Sequence, residues 1–265
     1  MSAKKTERHR QGRHTEDTEP DLDPCGHVTM ARGVQTDIST ESSMAALIFD
    51  FDGVVADSES LANLVLAEAV SALGRPTTLD DALARYCGRR WSDALIAIED
   101  DLGTDLPPGF SDALKAATLA RFRSDLREVE GASAFIARFD ALPRCIASSS
   151  SIERLTLCLD VLGLASQFGQ NVFSAEMVAR GKPHPDIFLL AAGKLDADPR
   201  SCLVIEDSIG GIKAAAAAGM ESIGLCAASH IRVGHDEALR AAGATHIAAS
   251  WRDVDMIATD FLQRQ

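Results

Sequence analysis

The run Ala46-Leu47-Ile48-Phe49 leads straight into Asp50-Phe51-Asp52-Gly53, and this stretch restricts the fold of the 265-residue chain more than any other. A short apolar run closed by a turn signal predicts a strand buried on both faces, as in parallel sheets. Side chains at i and i+2 of a strand point the same way, so Asp50 and Asp52 are expected to converge on one ligand. In open α/β sheets that ligand lies beyond the carboxyl ends of the strands. Two carboxylates this close repel unless a cation or a shared proton relieves them. Magnesium suits the role, because it takes oxygen ligands from carboxylates and phosphate. Taken alone, a DxDG corner is more often a polar strand-to-loop turn. Three further groups along the chain give it a different meaning.

After Ser58 the pattern is helical at Leu61 to Val70, Leu79 to Tyr86, Ser92 to Asp101 and Ser111 to Leu126, with Ser111 as the expected N-cap of the last. About 70 residues of helix thus precede the next strand-like run, roughly twice what a βα unit needs. The excess predicts a small helical domain inserted into a sheet. From Glu130 the alternation resumes. Helices are expected at Ala132 to Phe139, Ile152 to Leu162, Asp186 to Lys194 and Ser208 to Ala218. Strands are expected at Arg144 to Ala147, Cys202 to Ile205, Glu221 to Leu225 and Thr245 to Ala248. Strands alternating with helices mean an α/β fold with a doubly wound parallel sheet. The predicted division is a core of residues 44–58 and 129–265, and a helical cap of residues 59–128. Residues 1–43 are polar and poor in large apolar side chains, and read as a disordered tail. Met1, Met30 and Met44 are each compatible with the translation start.

The net charge of −13 argues against a nucleic-acid surface, which needs clustered Lys and Arg. No apolar run approaches the ~20 residues of a membrane span. The early basic cluster lacks the apolar core of a signal peptide. Six scattered cysteines without a CxxC pair favour reduced thiols, and with them a cytoplasmic location. Nothing in the sequence sets an oligomeric state.

Four polar groups fall at or just after strand ends: Asp50 with Asp52, Ser148, Lys182, and Glu206 with Asp207. In isolation each has a plain structural reading: helix cap, solvated lysine, helix-start acid. In this order, the stretches DFDGVVADS at 50–58, IASSS at 146–150, GKPHPDIF at 181–188 and IEDSIGGIKAAAAAG at 205–219 closely resemble the haloacid dehalogenase superfamily of phosphohydrolases. The helical insert lies where the subgroup resembling beta-phosphoglucomutase and small sugar-phosphate phosphatases carries its cap. The resemblance implies a Mg²⁺-dependent phosphatase working through an aspartyl-phosphate. Asp50 would be the nucleophile, and Asp52 the acid and then the base, with burial under the cap raising its pKa. The implied metal ligands are Asp50, the Asp52 carbonyl, Asp207 and Glu206, the last direct or through water. Lys182, Ser148 with Ser149, and a Gly53 amide would hold the phosphoryl group.

The expected partner is a small phosphorylated metabolite: a sugar, sugar acid or polyol phosphate. Arg89 and Arg90 lie where related caps present a substrate-reading loop, and either would suit a carboxylate or second phosphate. The alternative for that stretch is a solvated arginine pair with Trp91 packed in the cap. A phosphosugar mutase is the alternative activity, although the mutase pattern has a histidine where this chain aligns Ala62. Further off stand a non-catalytic sugar-phosphate sensor and a phospho-acceptor signalling module.

Overall fold

A computed structural model describes residues 44–87 and 91–265 of the chain. The expected tail and the pair Arg89 and Arg90 lie outside the described residues.

Six strands form one parallel sheet in the order β3-β2-β1-β4-β5-β6. They are β1 (Ala46–Phe49), β2 (Arg144–Ser148), β3 (Val172–Ser174), β4 (Cys202–Glu206), β5 (Glu221–Leu225) and β6 (His246–Ala248). The order reverses at β1, so the crevice for a ligand lies at its carboxyl end. Phe49 pairs with Ile146 on one side and Ile205 on the other, which brings the ends of β1, β2 and β4 level.

Burial on both faces follows from the unbroken apolar run of β1, whose four residues are all fully buried. Leu47 and Phe49 face a core that includes Phe135, Ile136, Leu155, Leu159, Trp251, Val254 and Phe261. These come from α5 (Ala132–Arg138), α6 (Ile152–Val161) and α11 (Trp251–Gln263). Ala46 and Ile48 face the opposite core, filled by Ile187, Phe188 and Ala191 of α8 (Asp186–Lys194) and Ala214 and Ala215 of α9 (Ile209–Ala217). The small alanines of α9 let that helix lie close to the sheet.

Among the described residues the insert holds four helices: α1 (Glu59–Ala72), α2 (Leu79–Arg85), α3 (Trp91–Leu102) and α4 (Phe110–Asp125). They enclose their own core of Val65, Leu66, Val70, Tyr86, Ile98 and Leu114. The chain enters and leaves the cap through two antiparallel segments that meet at an isolated bridge between Ala56 and Glu128. Asp57 N–H donates to Arg127 O at 3.0 Å, and Val129 N–H to Val55 O at 2.9 Å. A doubly wound sheet with an inserted helical cap is therefore the architecture, as the sequence predicts.

Local differences have local causes. Helix α4 starts after Gly109, not Ser111; the Ser111 hydroxyl instead accepts from Trp91 Nε1 at 3.2 Å. Trp91 is not a cap-core residue either, being 42% exposed at the cap's edge. Strand β3 has three residues, too few for a pattern to register. The five described cysteines are free, and no described helix is long and apolar enough to cross a membrane.

Phe49 is the hub of the first core, with ring centroids 6.1 Å from Phe135, 5.9 Å from Phe168 of the short helix α7 (Ala165–Phe168) and 6.1 Å from Trp251. We expect Phe49→Ala to cost about 3–5 kcal/mol in equilibrium denaturation. A loss below about 1 kcal/mol would mean that this cluster does not anchor the sheet.

Candidate active site

At the carboxyl ends of β1 and β4, three carboxylates meet one ammonium. Lys182 Nζ lies 2.7 Å from Asp50 Oδ1 and 2.7 Å from Glu206 Oε1. Its side chain is 6% exposed and sits 4.9 Å above the ring of Phe188, so the cation is enclosed by groups that favour it. Burial alone would lower its pKa; Asp50 and Glu206 outweigh that and raise it, so Lys182 stays charged.

Asp50, Glu206 and Asp207 each offer an oxygen, all within 4.8 Å of one another, and all three residues are buried. One lysine leaves this cluster with a surplus of negative charge. Burial, and then the neighbouring Glu206, push the pKa of Asp207 well above the ordinary carboxylate value. Burial does the same for Asp50, with Lys182 opposing it and Glu206 and Asp207 reinforcing it. Hard oxygen donors with unrelieved charge fit a divalent cation such as calcium or magnesium. Glu206 is more committed than its neighbours: Oε1 holds Lys182, and Oε2 accepts from the Ser208 amide at 2.6 Å. It also presses on Gly211, where an added Cβ would lie 1.6 Å from Oε1.

Gly53 has φ +79°, and a Cβ there would stand 1.9 Å from Asp207 Oδ2 and 2.9 Å from His230 Cε1. Only glycine fits. Its amide, however, donates to Ala56 O at 2.8 Å, so the expectation that it serves a phosphate gives way to a steric role. Asp207 is further fixed by two histidines from the segment after β5. His230 Nε2 is 3.2 Å from its Oδ2, and His235 Nε2 donates to its backbone carbonyl at 2.6 Å.

Asp52 departs from expectation. Its carboxylate takes Arg154 and Ser58 on Oδ1 and Ser150 on Oδ2. Burial would raise its pKa, but the Arg154 charge and these hydrogen bonds together outweigh burial and lower it. Asp52 is thus an anion held towards the hinge and α6, and its pKa is not the raised one expected under a cap. Its pairing stabilises the fold above the ordinary carboxylate pKa and is lost as pH falls through the depressed value.

Ser148 ends β2 with 1% exposure, and its hydroxyl accepts from the Ser150 amide at 3.2 Å. Ser149 is exposed and lines a cleft of about 1080 Å³ between cap and core. The cleft is also lined by Glu59, Asn63, Trp91, Ser150 and Arg154. Asp50, Lys182, Glu206 and Asp207 therefore come together, Ser148 ends the adjacent strand, and Asp52 is turned aside. Arg154, Ser150, His230 and His235 carry no signal in the sequence that marks them for this site. Ser150 lies within a run of four serines, and Arg154 reads as an ordinary first-turn helix residue.

Gly53→Ala should leave a folded protein but lower turnover by about 10²-fold, through displacement of Asp207; normal activity in a folded variant would remove glycine's steric role. In the cation-free protein, Asp207 costs stability above its raised pKa, and the cost disappears as pH falls below the ordinary value. Asp207→Asn should accordingly raise the thermal midpoint in EDTA at neutral pH by about 3 °C or more, while abolishing any upward shift on adding Mg²⁺. An unchanged or lower midpoint would show that the charge cluster is not strained.

The chain matches, over residues 44–219, the family model described as haloacid dehalogenase-like hydrolase. It is 26% identical over 190 residues to 6-phosphogluconate phosphatase of Escherichia coli, covering 71% of this chain and 86% of that protein. It is 30% identical over 184 residues to the phosphorylated carbohydrates phosphatase of Thermotoga maritima, covering 68% and 84%. The crystal structure of a HAD family hydrolase from Deinococcus radiodurans, with bound phosphate and sodium, superimposes with a TM-score of 0.72 at 31% identity, covering 83% of this chain and 97% of that one. With the parallel sheet, the inserted cap and the acidic cluster around Asp50 in place, the chain belongs to the haloacid dehalogenase-like hydrolases and is a phosphohydrolase of that family.

Proposed function

We propose that the protein hydrolyses the phosphate monoester of a small sugar, sugar acid or polyol through an aspartyl-phosphate on Asp50, with Mg²⁺ as its cation. The observation that carries this reading is the convergence of Asp50, Glu206 and Asp207 around Lys182 at the reversal point of the sheet. The substrate class draws support from relatives named for 6-phosphogluconate, phosphorylated carbohydrates and hexitol phosphates.

Asp50 attacks phosphorus, forming an O–P bond as the ester oxygen leaves. To act as acid, Asp52 must leave Arg154 and take up a proton from solvent. It gives that proton to the departing ester oxygen, then takes one from the water that releases phosphate and frees Asp50. Splitting one hard displacement into two easier ones is the gain from the covalent step. Lys182 counters charge on the phosphoryl oxygens as a compact, fully protonated cation. Ser148, at the tip of the neighbouring strand, donates its hydroxyl to one of them. Asp50, the Asp52 carbonyl and Asp207 would hold the cation, and Glu206 would support them by fixing Lys182. When bound, Mg²⁺ neutralises charge developing on nucleophile and phosphoryl group. Ala62 lines the cleft where a mutase of the related type has histidine, which favours hydrolysis over transfer back to sugar.

Steady turnover of para-nitrophenyl phosphate with Mg²⁺ tests the reading. EDTA should abolish it, and Asp50→Asn should lower it by at least about 10³-fold, since no covalent path remains. Wild-type speed in Asp50→Asn would rule the mechanism out.

A further inference from the structure

Arg154 is placed oddly for a helix-surface arginine. It lines the cleft between cap and core, and its guanidinium lies 4.9 Å from the centre of the Phe122 ring in α4. Nη2 binds Asp52 and lies 3.4 Å from Ser58 Oγ, while Nε is buried with no hydrogen-bond partner. A guanidinium with an unpaired buried donor at the edge of a cleft has unused binding capacity.

Asp52, in turn, spends both oxygens on Arg154, Ser58 and Ser150. To serve the leaving oxygen it must let go of Arg154. Separation would leave a partly buried guanidinium with only the more distant Glu59 carboxyl as counter-charge, which is unfavourable. A substrate hydroxyl cannot replace that charge, whereas a substrate carboxylate can, and bidentately. Nearby, the Glu59 carboxyl lines the same cleft with no described cation within 4.0 Å and only a long contact from Cys87 Sγ at 3.7 Å. It is a waiting acceptor for hydroxyls.

We propose that Arg154 is the specificity-determining residue of this site and binds the carboxylate of a phosphorylated hydroxy acid, which takes the place of Asp52 and frees it for the leaving oxygen. The proposal rests on the phosphatase reading and narrows its substrate class.

The test uses the full chain with Mg²⁺ and two matched pairs, 6-phosphogluconate against glucitol 6-phosphate and 3-phosphoglycerate against glycerol 3-phosphate, with para-nitrophenyl phosphate as reference. Wild type should favour the acid by about tenfold or more in kcat/KM in at least one pair. Arg154→Gln should erase that preference, and Arg154→Lys should retain only part of it. The acid-to-alcohol ratio within one preparation is independent of how much protein is folded. If the glutamine variant yields no protein, a several-fold fall in the ratio for Arg154→Lys decides in favour. The inference is overturned if wild type favours the acid in neither pair, or if the preference survives Arg154→Gln or, in its absence, Arg154→Lys intact. Turnover of the reporter alongside such a result leaves the phosphatase reading standing, whereas hydrolysis of none of the five esters overturns both.

Discussion

Unrelieved negative charge where two neighbouring strands end governs this molecule. Asp50, Glu206 and Asp207 are packed within 4.8 Å of one another, and a single lysine neutralises part of the cluster. Buried like charges are costly, and a fold tolerates them only where function demands it. Much of the surrounding structure serves to hold that cost in place. Gly53 gives up its side chain so that Asp207 can approach, Gly211 does so for Glu206, and two histidines brace the carboxylate and the carbonyl of Asp207. The sheet beneath is apolar on both faces, which leaves the carboxylates little room to move away.

The second aspartate shows how neighbours divide the work. Asp50 and Asp52 are two residues apart and both buried, yet their pKa values move in opposite directions. Asp50 sits among acids with one cation. Asp52 sits among donors: a guanidinium and two hydroxyls. Environment, not residue type, sets the direction of each shift.

Most of the framework was legible in the sequence because its signals are local. Four apolar residues before Asp50 describe a strand buried on both faces, and the long helical stretch after Ser58 exceeds any simple crossover. Glu206 and Asp207 were legible because strand ends in such a sheet share one edge, whereas Lys182, in the loop between β3 and α8, was legible only through its motif. The groups that escaped depend on contacts across the chain. Arg154 meets Asp52 over 102 positions, and His235 meets Asp207 over 28. No periodicity encodes such meetings. The direction of the Asp52 shift failed for the same reason: burial was foreseeable, but the donors that outweigh it were not. Helix α10 (His235–Ala242) escaped because it is only eight residues long and buries a single residue, Leu239.

The two chain crossings between core and cap lie side by side, joined by the Asp57–Arg127 and Val129–Val55 backbone bonds. An insert whose ends are already adjacent adds little closure entropy to the sheet that carries it. The cap also has a hydrophobic interior of its own. Its helices are therefore free to diversify in length and lining without disturbing the strand register below. Such a joint allows one hydrolytic base to be fitted, over evolutionary time, with many different lids.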